Sequence, residues 1–174
     1  MLKTYKPSTF AIISLFIIFL TNPSSGFSQV ITGTFAIKNV QTDMVLRIEE
    51  ANRNNGTALV AYTPVNWKCV TWEFKHLEKN TYQLKNLFTS KTFQPVEILD
   101  HIYLEQQPLL PANKNQQYEF ILVEENKYLI KSKETDLYLT ASDKSKAVNA
   151  RIILAKKTGG QEQLWMIYEQ SPQM

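Results

Sequence analysis

The chain has 174 residues, 44% of them hydrophobic, with 19 Lys and Arg against 16 Asp and Glu and a formal net charge of +3. A charge so near neutral gives no electrostatic case for a nucleic acid or an anionic membrane surface as partner. The one cysteine, Cys69, excludes an intrachain disulfide and a thiolate metal site, so stability must come from packing.

In chain order, Lys3 and Lys6 precede the apolar run Phe10 to Leu20, and the polar segment Thr21 to Ser28 follows it, ending in small residues. This pattern predicts a secretory signal over residues 1–28, with cleavage after Ser28 and a secreted or extracytoplasmic product. The run is too short for an ordinary membrane span, so no membrane attachment is expected after cleavage. Without the leader, 146 residues remain of the 174, and loss of its two lysines leaves 17 basic against 16 acidic residues. That is one domain, residues 29–174, large enough to bury a core.

The domain repeats itself. Phe35-Ala36-Ile37-Lys38-Asn39, Tyr82-Gln83-Leu84-Lys85-Asn86 and Tyr128-Leu129-Ile130-Lys131-Ser132 share the pattern aromatic, any, aliphatic, Lys, small polar, at steps of 47 and 46 residues. Trp72-Glu73-Phe74, Tyr118-Glu119-Phe120 and Trp165-Met166-Ile167 recur at steps of 46 and 47. Two landmarks in register define three units, about 33–80, 81–126 and 127–170.

Each unit reads as four short strands. Alternation in the first landmark predicts a half-buried strand. The turns Gln41-Thr42-Asp43, Phe88-Thr89-Ser90 and Glu134-Thr135-Asp136 follow at matching offsets, then return strands at Met44 to Ile48, Lys91 to Pro95 and Leu137 to Ala141. Third strands are predicted at Thr57 to Tyr62, Ile102 to Glu105 and Arg151 to Ala155, and the aromatic landmark opens the fourth. Leu109 to Asn115 and Lys156 to Gln161 read as loops, the latter broken by Gly159-Gly160. Propellers typically close with about four to eight blades. Three units of four strands therefore predict an all-β, pseudo-threefold β-trefoil, with Trp72, Tyr118 and Trp165 as structural core residues that bury large area and aim a polar tip at a partner.

The chain resembles the ricin B-type lectin family. The residues that carry the resemblance are Ile37 to Asp43 with Leu46, then Asn54-Asn55-Gly56-Thr57-Ala58 and the strand ending at Tyr62, together with the Q-x-W signature, whole in Gln163-Leu164-Trp165 and partial in Gln116-Gln117-Tyr118. In the first unit, Val70-Thr71-Trp72 lacks the Gln. The resemblance spans roughly residues 33 to 170 and implies a sugar site in each unit: an Asp in the second strand, an aromatic ending the third, and an Asn before the signature Gln. Such a set suits a pyranose, which stacks one face on a ring and offers hydroxyls to a carboxylate and an amide.

Carried over unit by unit, the set is incomplete everywhere. The first unit has Arg47, Tyr62 and Cys69-Val70; the second Gln94, Pro108 near the aromatic position, and Asn115-Gln116; the third Thr140, Ala155 and Glu162-Gln163. The expected carbohydrate contacts are therefore Gln94, Asn115 and Gln116 with Tyr103 stacking nearby, and Tyr62 as the surviving plate of the first unit. Gln116 has an equal structural reading, bonding backbone within the fold.

Other residues point elsewhere only weakly. His76 and His101 lie in different units with no nucleophile at a triad spacing, so catalysis, a metal and a cofactor are not expected. Glu49-Glu50 and Glu124-Glu125 read as solvated turns. Asn55-Gly56-Thr57 is a turn signal that also matches a glycosylation sequon. Trp67 is an aromatic in a predicted loop and a contact candidate. Two functions follow: a non-catalytic lectin-like module with a glycan or glycoconjugate partner, or a trefoil that has lost its sugar sites and binds a protein.

Overall fold

The computed structural model describes residues 1–2 and 30–173. The expected signal and its cleavage point lie almost wholly outside the described residues. No helix among the described residues is long and apolar enough to cross a membrane.

Among the described residues twelve strands form the domain, joined in places by short 3-10 turns. They are β1 (Gly33–Asn39), β2 (Val45–Ile48), β3 (Leu59–Tyr62), β4 (Trp72–Glu78), β5 (Thr81–Asn86), β6 (Thr92–Ile98), β7 (His101–Gln107), β8 (Tyr118–Glu124), β9 (Lys127–Ser132), β10 (Leu137–Ala141), β11 (Ile152–Lys156) and β12 (Leu164–Glu169). Antiparallel pairing runs β12-β1-β4-β5-β8-β9 and back to β12, which closes a six-stranded barrel. Closure leaves the barrel no free edge. The hairpins β2-β3, β6-β7 and β10-β11 form a triplet tied together by β7-β11 pairing and by the bridges Ala58–Glu105 and Val60–Arg151. This is the β-trefoil.

The repeat landmarks explain the closure. Ile37, Leu84 and Ile130 are fully buried, and so are Trp72, Tyr118 and, at 1% exposure, Trp165. Each large aromatic sends its polar tip to the backbone of the second strand in its own unit: Trp72 Nε1 donates to Leu46 O at 3.2 Å, Tyr118 Oη to Phe93 O at 3.2 Å and Trp165 Nε1 to Leu139 O at 3.0 Å. One side chain thus fills the barrel and anchors the hairpin above it. Burial pushes the Tyr118 phenol well above its ordinary pKa, which keeps the proton that this bond donates. Phe74 meets Phe120 edge to face at 5.0 Å, and Tyr82 meets Phe120 at 5.5 Å.

The small polar residue of the landmark pins the turn that follows. Asn39 Oδ1 accepts from the backbone N–H of Gln41 and Thr42, and Asn86 Oδ1 from Phe88 and Thr89. Their Nδ2 groups donate backward, from Asn39 to Glu162 O and Leu164 O and from Asn86 to Cys69 O. Each turn carries one residue at positive φ, Asp43, Ser90 or Glu134, as tight reversals require. Ser132 is too short to span this gap; its carbonyl accepts from Thr135 Oγ1 instead.

The landmark Lys is a surface partner. Lys85 pairs across the strands with Glu73 at 3.2 Å and Lys131 with Glu119 at 3.7 Å. Glu73 is held below the ordinary carboxylate range by a hydrogen bond from Lys75 and by Lys85, against a smaller upward push from burial. A depressed carboxylate stabilises the fold above its unfolded-state pKa, and the contribution is lost as pH falls through its folded-state value. Glu73→Gln is therefore expected to cost no more than about 1 kcal/mol near neutral pH. The gap should narrow toward about pH 2, as Glu73 takes up its proton. Urea melts at the two pH values measure it, and an unchanged gap at low pH would show that the cost is packing.

Candidate functional site

The loops before β4, β8 and β12 end in 3-10 turns, Lys68–Val70, Lys114–Gln116 and Gln161–Gln163. The last residue of each turn decides what lies on the hairpin beneath it. Gln116 is fully buried; its Nε2 donates to Gln94 Oε1 at 3.1 Å and Pro108 O at 2.9 Å, and its Oε1 accepts from Leu110 N at 2.8 Å. Gln163 repeats the pattern, donating to Thr140 Oγ1 at 3.0 Å and Lys156 O at 2.9 Å and accepting from Thr158 N at 2.8 Å. The signature Gln is thus a staple between loop and hairpin. Gln116 has no polar group left over for a ligand, so of its two sequence readings the structure carries the backbone-bonding one.

Around that staple the second unit presents a polar surface. Gln94 is half-buried, and its Oε1 also accepts from Asn113 Nδ2 at 3.2 Å. Asn115 is exposed, with its backbone N–H bonded to Asn113 Oδ1. Gln94 lies directly across the hairpin from Glu105, whose carboxylate accepts from Gln107 Nε2 at 2.8 Å. Tyr103 stands opposite Val96 in the same hairpin, one pleat repeat from Glu105 and so on the same face as Gln94. Arg151 lies over the Tyr103 ring at 4.5 Å and the His101 ring stacks with it at 5.8 Å, so a cation covers one face of the expected plate. One surface therefore brings together Gln94, Asn115, Glu105, Gln107 and Tyr103.

Sequence reasoning missed Glu105 and Gln107. Ile98 pairs with His101 around the two-residue turn Leu99-Asp100, and counting outward from that turn places Glu105 opposite Gln94. The same register corrects the aromatic position of this unit. Val45 pairs with Tyr62 and Thr92 with Gln107, so Gln107 is the counterpart of Tyr62, and Pro108 supplies only the carbonyl that the staple uses.

The first unit departs in a correlated way. Val70 cannot donate, and it joins Ala36, Val45 and Cys69 in a small apolar cluster against which Tyr62 packs. Arg47, which cannot accept, is free of the staple, and its guanidinium lies 3.9 Å over the Tyr62 ring. The plate expected at Tyr62 is thus covered on that face by a cation. In the third unit Thr140 is consumed by the staple, and Ala155 faces Tyr138 across the hairpin. Glu162 is held below its ordinary pKa chiefly by the Thr158 hydroxyl at 2.6 Å.

His76 contacts Lys79 O at 3.0 Å, in the turn between β4 and β5, far along the fold from His101 at the start of β7. Among the described residues no group of three or more His, Cys, Asp or Glu is placed to hold a metal ion.

The sequence matches the family model described as ricin-type beta-trefoil lectin domain-like over residues 25–94 and 114–173. No curated protein matches it. Among solved structures it is similar to the designed threefold-symmetric protein ThreeFoil, at 18% identity and a TM-score of 0.73 over 79% of this chain and 99% of that one. It is similar to the Rhizoctonia solani agglutinin, at 17% identity and a TM-score of 0.71 over 81% of this chain and 97% of that one. The Macrolepiota procera ricin B-like lectin, solved in complex with lactose, aligns at 19% identity and a TM-score of 0.66 over 82% of this chain and 99% of that one.

Proposed function

The chain belongs to the ricin-type β-trefoil lectin domain-like family, and from that premise we propose that it is an exported, non-catalytic carbohydrate-binding module whose second repeat carries the site. The observation that supports this reading most is the surface of that repeat. The carboxylate of Glu105, the amides of Gln94, Gln107 and Asn115, and the ring of Tyr103 all belong to one hairpin and its flanking turn. A carboxylate accepting from two hydroxyls, with amides that both donate and accept, is what a pyranose edge requires. The carboxylate comes here from the third strand instead of the second, and Gln94 fills the position it leaves.

Export rests on the leader: two lysines, an apolar run and a small-residue cut site. The lactose complex of the Macrolepiota lectin supports a neutral glycan as the first class to try.

The test is a broad glycan array, followed by titration of the best ligand into variants. Asn115→Ala and Glu105→Gln are each expected to weaken binding at least about tenfold, the worth of one charged or well-placed hydrogen bond. Asn115→Ala should leave stability unchanged, because that side chain is exposed. Gln94→Ala is a poorer probe, since it also removes an acceptor from Gln116 and should cost about 1 kcal/mol of stability. Silence of the folded protein across the array would overturn the reading and favour a protein partner.

A further inference from the structure

A second candidate site, independent of the polar face of the second repeat, lies where the connection from β3 to β4 meets the turn between β5 and β6. A cleft of about 270 Å³ is walled there by Ala51, Trp67, Lys68, Cys69 and Phe88. Trp67 is 41% exposed although it is the largest side chain of the connection. The walls are apolar and the rim is cationic. Arg53 places its guanidinium 4.4 Å over the Phe88 ring, and Arg47 stands over Tyr62, whose own ring lies 6.4 Å from Trp67.

These cations have no carboxylate of their own. Among the described residues Arg47, Arg53 and Lys68 belong to none of the salt bridges, and Arg47 Nε is buried without a hydrogen-bond partner. Glu49 and Glu50 adjoin Ala51 in the same 3-10 turn but pair with none of the three. Lys91 is already engaged, donating to Arg53 O at 2.6 Å and Asn55 Oδ1 at 2.5 Å. A guanidinium stacked on an aromatic ring keeps its charge and leaves its N–H edge free, the geometry that grips a carboxylate through two parallel bonds.

We propose that this cleft binds a sugar residue bearing a carboxylate, with the sugar ring against Trp67 and Phe88 and the carboxylate on Arg53, in the field of Arg47 and Lys68. The inference rests on the carbohydrate-binding reading and names a second ligand class for it. Two requirements meet in such a residue: an apolar C–H face for the rings, and one anion for cations that a neutral pyranose would leave without a counter-charge. A uronate and a sialate share this chemistry.

Titration calorimetry with a glucuronate-terminated disaccharide, sialyllactose and lactose tests it and separates the two sources. At least one acidic probe is expected to bind, about tenfold more weakly to Arg53→Gln and to Trp67→Ala. Raising NaCl from about 50 to about 500 mM should weaken it further, as screening of a partly exposed ion pair demands. Asn115→Ala should leave the salt-sensitive, Arg53-dependent part of acidic binding untouched. Acidic binding undiminished in both variants would overturn the cleft. Binding of lactose alone would overturn the second ligand class while leaving the lectin reading in place. Failure of both acidic probes on folded protein would overturn the cleft, and silence across the glycan array as well would overturn the lectin reading with it.

Discussion

Trp165→Ala is expected to destabilise the domain by about 3–5 kcal/mol, the usual cost of emptying a large buried aromatic site. Trp165 is 1% exposed, and its indole N–H holds Leu139 O at 3.0 Å, so the substitution opens a cavity and strands a buried carbonyl together. A loss of that size is a large fraction of the stability of an ordinary domain. Urea unfolding followed by far-UV circular dichroism measures it. Trp165→Phe separates the two causes: most of the ring area stays, the N–H is lost, and about 1–2 kcal/mol should go with it. Trp72 sits in the equivalent place on Leu46 O and should behave alike. A loss below about 1 kcal/mol for Trp165→Ala would mean that the ring does not anchor the third hairpin.

Asn86→Ala is expected to cost about 2–4 kcal/mol, out of proportion to the few atoms removed. The side chain is fully buried and makes three bonds to backbone at once, accepting from Phe88 N and Thr89 N and donating to Cys69 O. Alanine removes all three, leaves a buried carbonyl unpaired, and frees the turn that carries Phe88 beside the cleft of the first repeat. Asn39→Ala should cost a similar amount. Ser132→Ala, at the position where no side chain spans the turn, should cost less than about 1 kcal/mol. Equal losses at Asn86 and Ser132 would refute the assignment of the carboxamide as a pin.

The repeat is the reason the fold was so legible. A core position in one unit is a core position in three, so Ile37, Leu84 and Ile130 announce a shared interior that one strand alone could not establish. Return strands and third strands fall within a few residues of their observed bounds, because each is a short apolar run that recurs at the same offset from the landmarks in all three units. The short 3-10 turns before β4, β8 and β12 carry no signal of their own in the sequence. Each spans three residues with no hydrophobic period, and the second and third are held by side-chain bonds to residues about twenty positions away.

The site was less legible for a related reason. Gln116 looks the same in sequence whether it faces solvent or a backbone carbonyl, and only burial and three bond partners decide. Glu105 was overlooked because its neighbour across the hairpin, not its neighbour in the chain, makes it part of the polar surface. Arg47 and Val70 each look like a lost contact when taken alone. Together in space they are one exchange, in which an apolar cluster replaces a hydrogen-bonded staple and releases a guanidinium onto Tyr62.

The sequence by itself determined the threefold repeat, the strand pattern, the identity of the core aromatics and the resemblance to a lectin family. These depend on periodicity and side-chain type, which are local properties of the chain. Tertiary structure alone decided which amides are consumed as staples, which carboxylate shares a face with them, and that Trp67, Phe88 and Arg53 meet at one cleft. Those outcomes depend on cross-strand register and on loop contacts between repeats, and such distances are set only when the barrel closes.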